Sequence, residues 1–254
     1  MTILLIDLGN TALKWTVLSE PDNPHTIVHR GMSHFKNELF ATWLDLKPTR
    51  VIGCTVAAPN IAFALTKFFN EHGISWEWVS AQPEFVGQNF VITNHYENYR
   101  ALGSDRWYAA IGAASLGIES SLLVSHMGTA TTVDSIVYEG ESRYRFEGGR
   151  IAPGPSLMKM SLARDIPHLN TELVGYNAFP KNTGEAIMTG IIDSQVGLLF
   201  RARERMIHEG QYPYTILAGG AAKWIAPYVQ EVIPDVNLRH NLVLHGLAAK
   251  ARVE

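Results

Sequence analysis

Residues 7–15, DLGNTALKW, end the apolar run at residues 3–6 (ILLI) and at once begin a second segment with strand character. A carboxylate at a strand end, a Gly-Asn turn, a hydroxyl and then Lys14 predict a tight hairpin whose backbone a phosphate can approach. Glycine permits that approach because it lacks a Cβ, and Gly-Asn is a favoured hairpin dipeptide. The same pattern is also that of an ordinary hairpin. A related motif, GTATTVD at residues 128–134, follows a second apolar strand about half a chain later. Two such hairpins, one in each half, predict a nucleotide held between two similar lobes. A third element, ILAGGA at residues 216–221, has the pattern of a strand, paired glycines and a helix start. Helix N-terminal N–H groups and the helix dipole there suit an adenosine or its phosphates, although paired glycines equally suit close strand–helix packing. Neither the Walker sequence nor the Rossmann fingerprint occurs, so the nucleotide site is built differently.

Composition narrows the class. The chain has 254 residues, 46% hydrophobic and 18% charged, enough for one large or two modest cores. Its net charge of −3, without a basic block or a basic-aromatic face, does not predict a nucleic-acid partner. Cys54 is the single cysteine, which rules out an intrachain disulfide and suits a cytoplasmic enzyme. The first residues lack a basic n-region, so no signal peptide is expected. No apolar run approaches the roughly 20 residues that span a bilayer, so no membrane association is expected.

The pattern predicts strands near residues 3–8, 12–18 and 26–30, a helix near 34–45, a strand at 50–55, a helix from Pro59 and a strand at 75–79. Such an order implies mixed sheets flanked by helices in an α/β fold. Residues 82–99 read as substrate-facing loop and irregular strand. A helix follows over 104–116, with Trp107, Ala110, Ile111 and Ala114 on one face. The second half begins with strands near 121–124 and 143–147. Asn182 and Glu185 then form a capping-box pattern at the head of a long helix. A strand at 215–218, a helix past Ala221 and a helix over 242–252 complete it. The expected domains are 1–118 and 119–254.

Several residues could carry chemistry. Asp105 lies in LGSDRW, in the first turn of its helix, where it either complements the helix dipole or acts as a base. Ser104 is placed to cap that helix, and Arg106 to clamp an anion bidentately. Tyr96 is either a substrate wall or a core tyrosine. Asp7 is either a turn residue or an orienter of Mg²⁺. Lys14 is either a phosphate partner or a solvated lysine. Thr129 and Thr132 could donate hydroxyls to phosphate, and Thr183 could simply start its helix. The scattered histidines contain no H-E-x-x-H pair, so zinc is not expected.

Taken together, DLGNTALK, GSDR, GTATTVD, GGRIAPGPSLM, NTGEA and LAGGAA resemble, in order and spacing, the type III pantothenate kinases. The resemblance runs from Asp7 to Ala222. It implies the actin-like ATPase (ribonuclease H-like) fold, with two duplicated domains and a homodimer. It also implies ATP-dependent phosphorylation of pantothenate to 4'-phosphopantothenate, the first step of coenzyme A biosynthesis.

Residue by residue, the resemblance makes Asp7, Leu8, Gly9, Asn10, Thr11, Ala12, Leu13 and Lys14 the ATP phosphate segment, and Thr129 a further ATP contact. Tyr96, Gly103, Ser104, Asp105 and Arg106 would contact pantothenate, with Asp105 as proton acceptor. Thr183 would complete that site across the dimer interface. Two departures stand out. Tyr99 replaces a proline of many relatives. His126 replaces the aspartate that binds a monovalent cation, K⁺ or NH₄⁺, so turnover without added cation is expected. The rival readings are an actin-like kinase for another small hydroxy acid or sugar, and a non-catalytic accessory protein of transcription. Intact Asp7 and Asp105 speak against the latter.

Overall fold

The computed structural model describes residues 2–166 and 175–253. The strands are β1 (Thr2–Leu8), β2 (Ala12–Val17), β3 (His25–Val28), β4 (Pro48–Thr55), β5 (Ser75–Val79), β6 (Glu84–Val86), β7 (Val91–Asn94), β8 (Leu122–Met127), β9 (Ala130–Gly140), β10 (Arg143–Pro153), β11 (Tyr214–Ala218) and β12 (Asn237–Leu238). The helices are α1 (Asn37–Asp45), α2 (Pro59–Glu71), α3 (Ser104–Ala114), α4 (Pro155–Asp165), α5 (Thr183–His208), α6 (Ala222–Gln230) and α7 (Leu242–Val253). A 3₁₀ turn, Tyr99–Ala101, precedes α3.

Strand β1 is apolar on both faces: Leu4, Leu5, Ile6 and Leu8 are all fully buried. A strand of that kind belongs in the middle of a sheet covered on both sides. It is indeed central to the first sheet, whose order is β3-β2-β1-β4-β5. The hairpin makes β1 antiparallel to β2, with Asp7 opposite Lys14. On its other edge β1 runs parallel to β4, with Asp7 opposite Cys54. Helices α1 and α2 cover one face through Leu39, Trp43, Ile61, Leu65 and Phe69. The expected elements of this half are all present. Residues 82–99, expected as loop and irregular strand, contain the short strands β6 and β7. Strands of three and four residues are too brief for an alternating pattern to fix their bounds.

The chain divides into two compact units. Unit 1 holds Met1–Ile118, Glu139–Phe146 and Asn241–Glu254, and unit 2 holds Glu119–Tyr138 and Glu147–His240. The last helix, within Asn241–Glu254, is part of unit 1. Helix α7 packs on α3 inside unit 1. Two glycines make that crossing possible: a Cβ on Gly112 would overlap the Leu242 carbonyl, and one on Gly246 the Tyr108 carbonyl. Lys250 of α7 also pairs with Glu77 at 3.3 Å, and Glu77 with Arg50 at 3.1 Å. Strand β7 joins the start of β10 in parallel and β6 in antiparallel pairing, also within unit 1.

In unit 2, β8 lies between β11 and β9. Its register sets His126 opposite Thr132 on one side and Ala218 on the other. Leu199, Ala202 and Met206 of α5 pack with Ile225, Ala226 and Val229 of α6 over Leu123 and Leu217. Helix α4 was not expected from the sequence. It starts with Pro155 at its first turn, and only Pro155 is buried along it. With hardly any buried face, it shows no apolar stripe for periodicity to detect.

Candidate active site

In unit 1 the fold gathers Asp7, Lys14, Cys54, Tyr96 and the Gly103–Ser104–Asp105–Arg106 segment. Asp7 is the penultimate residue of β1, and parallel pairing with β4 brings the buried Cys54 beside it. The Cys54 thiol donates to Asp7 Oδ1 at 3.6 Å. Burial raises the Asp7 pKa from 3.8 to about 6, the nearby Asp105 carboxylate adds to the rise, and Lys14 and the thiol oppose it. Its own burial, and then the Asp7 and Asp105 carboxylates, push the Cys54 thiol well above its ordinary value. Sequence reasoning missed Cys54, because its contact depends on the register between strands 47 positions apart.

Asp105 occupies the first turn of α3. Its Oδ1 accepts the Arg106 backbone N–H at 2.7 Å. Burial nevertheless raises its pKa, against the lowering effect of the Arg106 amide and guanidinium. A carboxylate so held has an enhanced affinity for a proton, as a general base requires. Ser104 does not cap the helix: Gly103 is the cap position, and the Ser104 hydroxyl donates to the Thr55 carbonyl at 3.3 Å. That bond ties the start of α3 to the end of β4. Gly103 leaves room for the carboxylate, since a Cβ there would lie 2.7 Å from Asp105 Oδ1. The buried Arg106 guanidinium stands 5.7 Å from the centroids of both Tyr96 and Phe146, a cation–π arrangement on two rings. Tyr96 is half-buried and edge-on to Phe146.

In the hairpin itself, the Gly9 N–H donates to Ala12 at 3.0 Å and closes the turn. Asn10 is exposed at its tip, and Thr11 and Lys14 are half-buried.

Unit 2 carries the second hairpin. Thr129 is exposed at its turn, where its carbonyl accepts the Gly154 N–H at 2.9 Å. Thr131 donates to Gln195, and Gln195 donates to the Pro153 carbonyl at 3.1 Å. Gln195 is fully buried in α5 and fixes the hairpin, a role that a polar residue within a helix does not announce. Gly219 has φ +94°, and a Cβ on it would overlap the Met127 carbonyl and stand 2.6 Å from the His126 ring. His126 therefore lies against the paired glycines that follow β11. Thr183 is the first residue of α5, capped by Asn182, whose Oδ1 accepts the Glu185 N–H at 2.9 Å. Only half of the expected capping box forms, because the Glu185 carboxylate accepts from Lys181 N–H instead, at 3.1 Å. Thr183 lines a groove of about 520 Å³ between α4 and α5, with Met158, Leu162, Ile187 and Ile191 as its apolar walls.

Residues 3–205 match the family model of type III pantothenate kinase. The chain is 35% identical over 253 residues to the type III pantothenate kinase of Aromatoleum aromaticum, covering 98% of each chain. Among solved structures, it is similar to one described as a Baf family transcriptional activator from Campylobacter jejuni, at TM-score 0.57 and 19% identity, covering 98% of each chain. It is also similar to a non-polymerisable ParM variant, at TM-score 0.52 and 10% identity, covering 100% of this chain and 99% of that one. At such identities the structural likeness speaks for the fold alone, which is the actin-like ATPase fold. The family match and the near-full-length relative decide the rest: the chain belongs to the type III pantothenate kinase family.

Proposed function

We propose that the reaction of this family, ATP-dependent phosphorylation of pantothenate at the start of coenzyme A biosynthesis, is carried out here with Asp105 as the proton acceptor. The observation that carries this assignment is the half-buried Asp105 carboxylate, its pKa raised by desolvation, held in the first turn of α3 beside a fixed Arg106. Asp105 would take the proton from the primary hydroxyl as it attacks the γ-phosphate in line. Arg106, held against Tyr96 and Phe146, would clamp the pantothenate carboxylate. Gly103, Ser104 and Tyr96 complete that wall.

The hairpin of Asp7, Leu8, Gly9, Asn10, Thr11, Ala12, Leu13 and Lys14 would bind ATP phosphates through backbone N–H groups and the Lys14 ammonium, and Thr129 would serve ATP in unit 2. Mg²⁺ fits Asp7. Such ions take one or two carboxylates and fill their remaining positions with substrate phosphates and water, and a half-buried carboxylate whose proton affinity is raised gains from a cation beside it. Bound there, the ion would neutralise charge on the transferred phosphate. His126 is a poor partner for a monovalent cation, because an imidazole has no anionic form to offer a hard ion. We infer that no K⁺ or NH₄⁺ is needed. A homodimer accounts for the apolar groove beside Thr183 and for exposed Met160 and Leu157 on α4. A single buried cysteine suits a cytoplasmic location, and among the described residues no helix is long and apolar enough to cross a membrane.

The test of the assignment is Asp105→Asn, with turnover and ATP affinity measured together. Turnover should fall by about 10² to 10⁴-fold with ATP affinity little changed. A variant within about threefold of the parent would return Asp105 to a helix-dipole role.

A further inference from the structure

We propose that His29 is a positioning residue for the nucleotide, setting the direction in which the β1–β2 turn presents its backbone N–H groups. The proposal rests on the reading of that hairpin as the phosphate site. His29 follows β3, is only 2% exposed, and packs on Phe35 with ring centroids 5.8 Å apart. Its Nδ1 accepts the Gly31 N–H at 3.1 Å. An imidazole nitrogen that accepts carries no proton, so the ring proton sits on Nε2. Nε2 therefore donates to the Gly9 carbonyl, 3.0 Å away. The arrangement works only with a neutral ring, since a second N–H on Nδ1 would face the Gly31 N–H.

The main chain reinforces the same link. The N–H groups of His29 and Arg30 both donate to the Thr11 carbonyl, each at 2.9 Å. Arg30 at φ +50° and Gly31 at φ +82° make the bend that returns the Gly31 N–H onto the imidazole. Two carbonyls of the turn, those of Gly9 and Thr11, are thus tied toward the end of β3. In a trans peptide the carbonyl and the following N–H point in opposite directions. The N–H groups of Asn10 and Ala12 are therefore turned away from β3, on the other side of the turn. Backbone N–H groups collected on one side of a turn in this way present partial positive charge to an anion. An apolar side chain of the same size would fill the space but release the Gly9 carbonyl and leave the Gly31 N–H unbonded.

The experiment compares His29→Leu, His29→Gln and Lys14→Met in the full chain, with KM for ATP, KM for pantothenate, kcat and Tm measured for each. His29→Leu should raise KM for ATP about tenfold, the scale of losing one or two buried hydrogen bonds, with KM for pantothenate within about twofold. His29→Gln, whose amide can both donate and accept, should recover part of the loss. A lower Tm with both KM values unmoved, or with both raised equally, would overturn the positioning role. Lys14→Met separates the two readings: if it shifts KM for ATP and His29→Leu does not, only the His29 proposal fails. If neither variant shifts it, the phosphate reading of the hairpin fails. Should His29→Leu not fold, ¹⁵N correlation of the imidazole in the unaltered protein decides. A slowly exchanging Nε2–H tautomer is expected, and an Nδ1–H tautomer overturns the proposal.

Discussion

Gly103 stands so close to Asp105 that a Cβ at residue 103 would lie 2.7 Å from the Asp105 carboxylate oxygen. The helix begins at Ser104, its backbone tied to Thr55 by the Ser104 hydroxyl, so the backbone has little freedom to yield. Any side chain on residue 103 must therefore displace the carboxylate. Gly103→Ala should lower kcat at least about tenfold while the protein remains folded, because an error of about 1 Å in a reacting group costs on that order or more. Steady-state kinetics beside a thermal melt would check it. An alanine variant with unchanged kcat would mean that the carboxylate does not work from the position seen here.

The raised pKa of Asp7 has a consequence for stability in the nucleotide-free protein. A carboxylate that binds its proton more tightly when folded contributes stability at low pH, and that contribution is lost as pH rises from about 4 through about 6. Above that window the penalty is constant. The full shift corresponds to about 3 kcal/mol. Because Asp7 keeps partial contact with solvent, roughly 1–2 kcal/mol is the expected size. Asp7→Asn should accordingly be more stable than the parent at pH 7 and equal to it near pH 3.5, while losing activity. Denaturant midpoints at the two pH values would show this, and an asparagine variant no more stable at pH 7 would contradict it.

The proposed cation independence rests on His126, which packs beside Gly219 near the end of β8. Assayed in a large organic-cation buffer, the enzyme should respond to added potassium by less than about threefold. Activation of about tenfold or more, equivalent to about 1.4 kcal/mol in the barrier, would refute it. His126→Asp should create a dependence that the parent lacks.

The dimer reading is tested by mixing. If Thr183 completes the pantothenate site of the partner, an inactive Asp105→Asn chain and an inactive Thr183→Arg chain should together regain activity. Random reassortment would restore about a quarter of the parental value, since half the dimers are mixed and each carries one intact site. A monomer by light scattering at assay concentration, fully active, would sink the proposal.

Strands and helices with long apolar patterns were legible in the chain itself. The β1–β2 hairpin followed from a fully apolar run ending at Asp7 and a Gly-Asn turn, and Trp107, Ala110, Ile111 and Ala114 are buried in α3 as their spacing predicts, although that helix is buried on every side from Arg106 to Ala114. Local chemistry determines these features, because a turn or an amphipathic face is specified by neighbours within a few residues. The motifs also sufficed to name the family. Helix α4 was illegible for the opposite reason: with almost no buried face within the chain, it carries no stripe to read.

What only the tertiary structure decided are relationships between distant positions. The Cys54 thiol on Asp7 depends on a parallel register, and the imidazole of His29 on the Gly9 carbonyl depends on where β3 ends. The return of α7 to α3 depends on two glycines more than a hundred positions apart. Registers and close helix crossings are set by packing of the whole sheet and core, and no local pattern encodes which distant residue will stand opposite. The same holds for the proton affinities of Asp7 and Asp105. The sequence supplied the carboxylates and their order, but burial, which raises both, exists only once the chain has closed around them.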